Sequence, residues 1–101
     1  MATGNYGKII EHYGADAQKV KAIEELSELQ KEIAKDLIGQ GNIENVAEEI
    51  ADVQIMLRQL QMIYGIDYSD LNKIMSEKTL RTLYRIAVEE KEDKEKRKWE
   101  R

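Results

Sequence analysis

The apolar positions of this chain recur at helical spacing, and the recurrence is interrupted by acids. At about 100° per residue, Val46, Ile50, Val53, Leu57, Leu60 and Tyr64 fall in one broad stripe. Val20, Ile23, Leu26, Ile33 and Leu37 form a second stripe, flanked by Ala22, Leu29 and Ala34. Four helices are predicted. A short one runs from Tyr6 to Tyr13 and ends at Gly14. The next runs from Asp16 to Ile38 and stops at "GQGN", where Gly39 and Gly41 break it. The third starts near Asn42 or Asn45, where Asn45 and Glu48 have the spacing of a capping box, and continues to Tyr64 before Gly65. Asp67 or Ser69 caps the fourth, which carries through Val88. Ala51, Ile55 and Met62 make a second apolar strip on the third helix, the pattern of a helix packed between several others.

This pattern gives an all-α fold, an antiparallel helical bundle, with residues 1–88 as one domain and 89–101 as a charged helical extension or tail. That tail, "EEKEDKEKRKWER", reads as a solvated helix that frays, and Trp99 within it as a residue that docks on a partner or does not. Composition agrees: the 101 residues include no proline or phenylalanine and only six glycines, and 36% are charged. With no cysteine, disulfides, thiolate nucleophiles and Cys-based zinc sites are excluded. His12 is the only histidine, which argues against a multi-histidine metal site and reads as a helix-end surface residue. A net charge of −4 gives no footprint for nucleic acid. "MATGNYGKII" lacks the apolar core of a signal peptide or membrane anchor, so a cytoplasmic protein without a membrane partner is expected.

Glu49 and Asp52 are the acids that intrude. Glu49 projects between Met56 and Leu60, and Asp52 lies beside Ile63, whereas Glu48 points away. On the second helix Glu25, Glu28 and Glu32 make a ridge off the core stripe, with Lys21 and Lys35 placed to pair with it along the surface. Glu25 and Glu28 are three apart, as are Glu49 and Asp52, a spacing that aims both carboxylates of each pair one way. The glycine-containing turn makes the two helices antiparallel neighbours, so the four acids can converge. Together they would repel and raise one another's pKa unless a cation sat among them. An all-carboxylate site suits Mg²⁺ or Mn²⁺ rather than zinc. The alternative is that Lys or Arg from another helix neutralises Glu49 and Asp52.

The fourth helix carries a complementary feature. Leu71, Ile74 and Met75 begin an apolar stripe that Lys78, Arg81 and Arg85 continue. Such a basic ridge suits phosphate oxygens beside a metal, or else Lys78 and Arg81 are the ion-pair partners of Glu49 and Asp52. Glycine-rich phosphate loops of the G-x-x-x-x-G-K-[ST] and G-x-G-x-x-G kinds are absent.

"EELSE" (Glu24 to Glu28) followed by "EIAD" (Glu49 to Asp52) resembles the E-E-x-x-E … E-x-x-D signature of the all-α nucleoside triphosphate pyrophosphatases, the superfamily of MazG and the dimeric dUTPase-like enzymes. The flanks "YGADAQKVKAIEELSEL" and "NVAEEIADVQIML", and the basic "EKTLRTLYRI", resemble small single-domain MazG-like proteins, phage-encoded ones included. The likeness spans about Tyr13 to Ile86. Each acidic motif alone is common in helices, and the ordered pair carries the specificity.

The resemblance implies that Glu25, Glu28, Glu49 and Asp52 bind Mg²⁺ and that Glu24 helps orient a water or a second metal. It implies that Lys78, Arg81 and, less directly, Arg85 hold phosphates, and that Asn45 and Gln18 meet the nucleotide. The expected reaction is cleavage of a (deoxy)nucleoside triphosphate to the monophosphate and pyrophosphate, in cleaning or adjusting nucleotide pools. Larger members have extra helices or a second copy of the domain, so a homodimer or homotetramer is expected here. Two rivals stand beside this reading: a phosphoribosyl-ATP pyrophosphohydrolase, and a non-enzymatic oligomeric helical protein whose acids and bases form inter-helix ion pairs.

Overall fold

The computed structural model describes residues 4–100, every element of which is an α-helix. Glycines and side-chain caps set the helix boundaries. Helix α1, Gly4–Tyr13, ends where Gly14 takes φ 93° and donates its N–H to the Ile10 carbonyl at 2.8 Å. Helix α2, Ala15–Leu37, closes with the N–H groups of Gly39 and Gln40 donating to the carbonyls of Asp36 and Lys35. Gly39 supplies the left-handed φ of 78° that such a helix end needs.

Gly41 follows, and there the constraint is space. A methyl group on its Cα would stand 2.7 Å from the backbone Cα of Asp36. Helix α3, Ile43–Ile63, is capped by Asn42, whose Oδ1 accepts from the N–H groups of Glu44 (2.9 Å) and Asn45 (3.2 Å). The capping box expected at Asn45 and Glu48 is therefore not used: Asn42 takes that role three residues earlier, and Asn45 donates to it from inside the helix. Helix α4, Tyr68–Trp99, is capped by Asp67 and runs unbroken through the mixed-charge segment to Trp99.

Two units follow from how the chain packs: residues up to Ile66, and residues from Asp67 onward. In the first, α2 and α3 form an antiparallel hairpin and α1 packs on both. Their seam runs along Gln18, Ala22, Glu25, Leu29 and Glu32 of α2, and Val46, Glu49, Val53, Met56, Leu60 and Ile63 of α3. The alternating steps of three and four are the 3.5-residue repeat of helices packed knobs into holes. Ala22, Val53 and Met56 are its buried apolar residues, and Gln18, Glu32 and Gln59 are buried polar ones. The second unit is α4, none of whose residues is buried.

The stripe expected as the core of α2 lies elsewhere. Val20, Ile23, Leu26, Ile33 and Leu37 are all exposed, Ile23 at 68% and Leu37 at 81%. The hairpin instead closes on the face roughly a third of a turn away, which holds Gln18, Glu25 and Glu32. On α3 the expected stripe is divided. Val53 is buried and Val46 and Leu60 are half-buried, whereas Ile50, Leu57 and Tyr64 are exposed. Ala51, Ile55 and Met62 are exposed as well, so the first unit does not bury α3 on two sides. Lys19, held over the Tyr64 ring at 4.8 Å, ties the start of α2 to the end of α3.

A candidate cation site and its groove

The seam brings acids from both helices to one level. One carboxylate oxygen each from Glu25, Glu49 and Asp52 lie within 4.8 Å of one another. Glu25 and Glu49 are half-buried and Asp52 is exposed, so the cluster opens outward through Asp52. Oε2 of Glu49 is shielded from water and accepts no hydrogen bond. Burial pushes the Glu49 carboxyl above its ordinary range, and the charges of Asp52, Glu25, Glu28 and Glu32 push the same way. Glu28 is exposed and outside the close trio, but near enough for its charge to act on Glu49.

Two lysines pair with this ridge along α2. Lys21 Nζ stands 3.3 Å from Glu25 Oε1, and Lys35 Nζ stands 3.5 Å from Glu32 Oε1. The hydrogen bond to Glu25, and then the Glu25 charge, hold the Lys21 ammonium above its ordinary range, partly opposed by burial. Neither lysine reaches the orphaned Glu49 oxygen. Nor does one reach Glu32 Oε2, which is buried without a partner although its residue pairs through the other oxygen.

A groove of about 720 Å³ adjoins the acids. Lys21, Glu24, Glu25 and Asp52 line it, as do Gln18 and Gln59. Ile9 and Tyr13 of α1 border it together with Ile55 and Met56 of α3. Gln18 Nε2 donates to Gln59 Oε1 at 2.8 Å, joining the two helices through a buried amide pair.

Of the residues singled out in the sequence, Glu24, Glu25, Asp52 and Gln18 line this groove, and Glu49 completes the acid trio beside it. Asn45 is exposed in the first turn of α3. Lys78, Arg81 and Arg85 are exposed on α4, in the second unit. His12 is exposed in the last turn of α1.

The sequence reading passed over Gln59 and left Glu32 as surface charge. Both carried a signal in their spacing, since Gln59 stands seven residues after Asp52 and Glu32 seven after Glu25, which is one seam repeat.

The donor set is all oxygen and anionic, at a separation that one hard divalent cation could bridge, and it holds a carboxylate oxygen with no partner of its own. These residues fit Mg²⁺ or Mn²⁺. Among the described residues, no helix is long and apolar enough to cross a membrane. No family model, curated protein or solved structure matches the chain.

Proposed function

We propose that the chain is a Mg²⁺-dependent nucleotide pyrophosphohydrolase, cutting a (deoxy)nucleoside triphosphate between its α and β phosphates. The observation that carries this reading is the convergence of Glu25, Glu49 and Asp52 within 4.8 Å around an unpartnered Glu49 oxygen. The order of the two acidic motifs along the chain, and their likeness to the all-α pyrophosphatases, supply the choice of reaction.

Glu25, Glu49 and Asp52 hold the cation, with Glu28 as a fourth ligand. When bound, Mg²⁺ neutralises phosphate oxygens and lowers the pKa of a water molecule. Glu24, on the wall of the groove, accepts a hydrogen bond from the attacking water and orients it. Lys21 contributes a positive charge at the mouth of the acid cluster. The same likeness assigns Lys78, Arg81 and Arg85 to phosphate oxygens, whose geometry arginine forks suit.

Self-association as a homodimer or homotetramer is part of the same reading. The apolar stripe exposed on α2 supports it, because a large apolar patch on a single chain marks a surface that another chain covers.

The test is pyrophosphate release from a panel of NTPs and dNTPs, with and without Mg²⁺, for wild type and Glu49→Gln. Metal-dependent release that the variant loses supports the reading. Release from phosphoribosyl-ATP alone would move the enzyme to histidine biosynthesis. No release from any of these, with a melting temperature indifferent to Mg²⁺, would leave a helical interaction protein.

A further inference from the structure

The buried amide pair has no part in holding a cation, yet it faces the same groove. Gln18 is 7% and Gln59 1% exposed, and neither side chain caps a helix: Gln18 sits in the first turn of α2, but its amide turns to Gln59. Two amides in a helix seam are costly where leucines would serve, unless their hydrogen-bonding capacity is used. Within the protein they use only part of it. Gln18 donates once to Gln59, and Gln59 donates once, weakly, to Met56 Sδ at 3.8 Å. Gln18, which lines the groove, keeps its Oε1 acceptor and a second N–H without a protein partner among the described residues. Turning both amides over would instead leave Gln18 both of its N–H donors and the second lone pair of the oxygen that accepts from Gln59.

The position of the pair relative to the acids is set by the seam. Gln18 precedes Glu25 by seven residues, and Gln59 follows Asp52 by seven on the antiparallel neighbour. Both offsets are two helical turns, about 10.5 Å along the hairpin. The sugar and base of a 5′-nucleotide cover such a span when its phosphates sit at the acids. The lining of the groove is mixed: Lys21, Glu24, Glu25 and Asp52 share it with the two amides and with Ile9, Tyr13, Ile55 and Met56. A flat heteroaromatic ring with hydrogen-bonding edges suits a groove that offers apolar side chains together with an amide.

We infer that the Gln18–Gln59 pair is the base-recognition element of this site: Gln18 presents its free acceptor and N–H to the hydrogen-bonding edge of a nucleobase, and Gln59 fixes the Gln18 amide in that orientation. The inference rests on the nucleotide reading above and adds the part of the substrate that the acids cannot read. Gln59 is a positioning residue here, acting through Gln18.

Two measurements test it on the full-length chain. The first is equilibrium binding of the four nucleoside monophosphates in the presence of Mg²⁺. The second is turnover of the four NTPs, with inorganic triphosphate as a substrate that has no base. The main variant is Gln18→Met/Gln59→Met, which removes both amides together, leaves neither one unpartnered, and so keeps the fold.

The double variant is expected to bind the preferred monophosphate roughly tenfold more weakly and to flatten the ranking among bases. Its rate on each NTP is read relative to inorganic triphosphate, which carries no base. Gln18→Glu provides a second arm, because it removes the donor and keeps an acceptor. It should shift preference toward bases that present donors: guanine first, through N1–H and its amine together, then adenine and cytosine through their exocyclic amines.

A base ranking that survives in both variants overturns the inference and leaves the hydrolase reading standing. Should the double variant fail to fold, an unaltered ranking in Gln18→Glu overturns it alone. Conversely, a wild type that releases no pyrophosphate but binds monophosphates with an amide-dependent preference overturns the hydrolase reading and supports base recognition. A wild type that binds no monophosphate and turns over no nucleotide overturns both.

Discussion

Lys21 Nζ lies 3.3 Å from Glu25 Oε1, one helical turn away, so the acid cluster already carries one positive charge of its own. Glu25 is the most screened partner in that pair, its side chain 15% exposed against 53% for Lys21. After Glu25, the charges of Glu24 and Asp52 act on the Lys21 ammonium in the same direction.

It follows that Lys21 competes with a divalent cation for Glu25. Lys21→Met is expected to lower the melting temperature of the metal-free protein by a few degrees, because Glu25 loses its partner among repelling acids. The same change should tighten Mn²⁺ or Mg²⁺ binding severalfold, measured by calorimetric titration. Weaker metal binding in the variant would show that Lys21 orients Glu25 toward the ion instead of competing with it.

Glu49 sets the pH dependence of the metal-free protein. Its folded-state pKa is raised above the ordinary glutamate value of 4.5, first by burial and then by four neighbouring carboxylates. Below that ordinary value Glu49 is protonated in both states, and its contribution to stability is fully present. As pH rises through the raised folded value, the folded state must accept a charge it resists, and the contribution is lost. Wild type should therefore lose stability relative to Glu49→Gln between pH 4.5 and neutrality, and Glu49→Gln should melt higher at pH 7 without metal.

Saturating Mg²⁺ should reverse that order, since binding at a hundredfold excess over Kd stabilises by about 2.7 kcal/mol. Turnover in Glu49→Gln should fall by at least the roughly 10–100-fold that loss of a partner one step further from a metal costs. The measurements are melting curves across pH, with Mg²⁺ and with EDTA. A variant that melts lower than wild type at pH 7 without metal would instead mean that Glu49 is neutralised by a basic partner.

The hairpin turn offers a stability test independent of function. At Gly41 an added methyl would stand 2.7 Å from the Asp36 Cα, a backbone atom that cannot swing aside. Gly41→Ala is expected to destabilise the fold by about 1–3 kcal/mol, the range for forcing a group into filled space. Gly39→Ala should also be destabilising, but through its φ of 78°, with open space around the new methyl. Chemical denaturation of both variants measures this, and an unchanged midpoint for Gly41→Ala would mean that the turn shifts freely.

Helix number, turn positions and the neighbouring acids were legible from the chain because they depend on local signals: glycines at helix ends, Asp67 as a cap, and acids spaced by three. The choice of seam was not. On α2 the apolar stripe through Val20, Ile23 and Leu37 outranks any other by hydrophobicity, so periodicity points to it as the core. The hairpin closes instead on a face where Ala22 and Leu29 alternate with Gln18, Glu25 and Glu32. A small residue at Ala22 allows close approach, and Gln18 pairs with Gln59 across the seam. Such pairing is invisible until both helices are in place. For the same reason Gln59 has no meaning in the sequence by itself, while Glu49 and Asp52 stand out as acids in an apolar stripe.

The first unit leaves an apolar stripe of α2 uncovered, and the pyrophosphohydrolase proposal assigns a second copy of this chain to it. Ile23 at 68% exposure, Ile33 at 48% and Leu37 at 81% lie on one side of the helix and run along much of its length. A lysine at Ile23 or Ile33 would place a charge in a dry interface, where it has no counter-ion to pair with. In a chain that stays alone, the same lysine would simply point into water and change little. Wild type is expected to sediment as a dimer or tetramer at micromolar concentrations, and Ile23→Lys/Ile33→Lys to sediment as a smaller species that retains its helical circular dichroism. Wild type that sediments as a monomer throughout that range would remove self-association from the proposal and leave the stripe as a surface for some other chain.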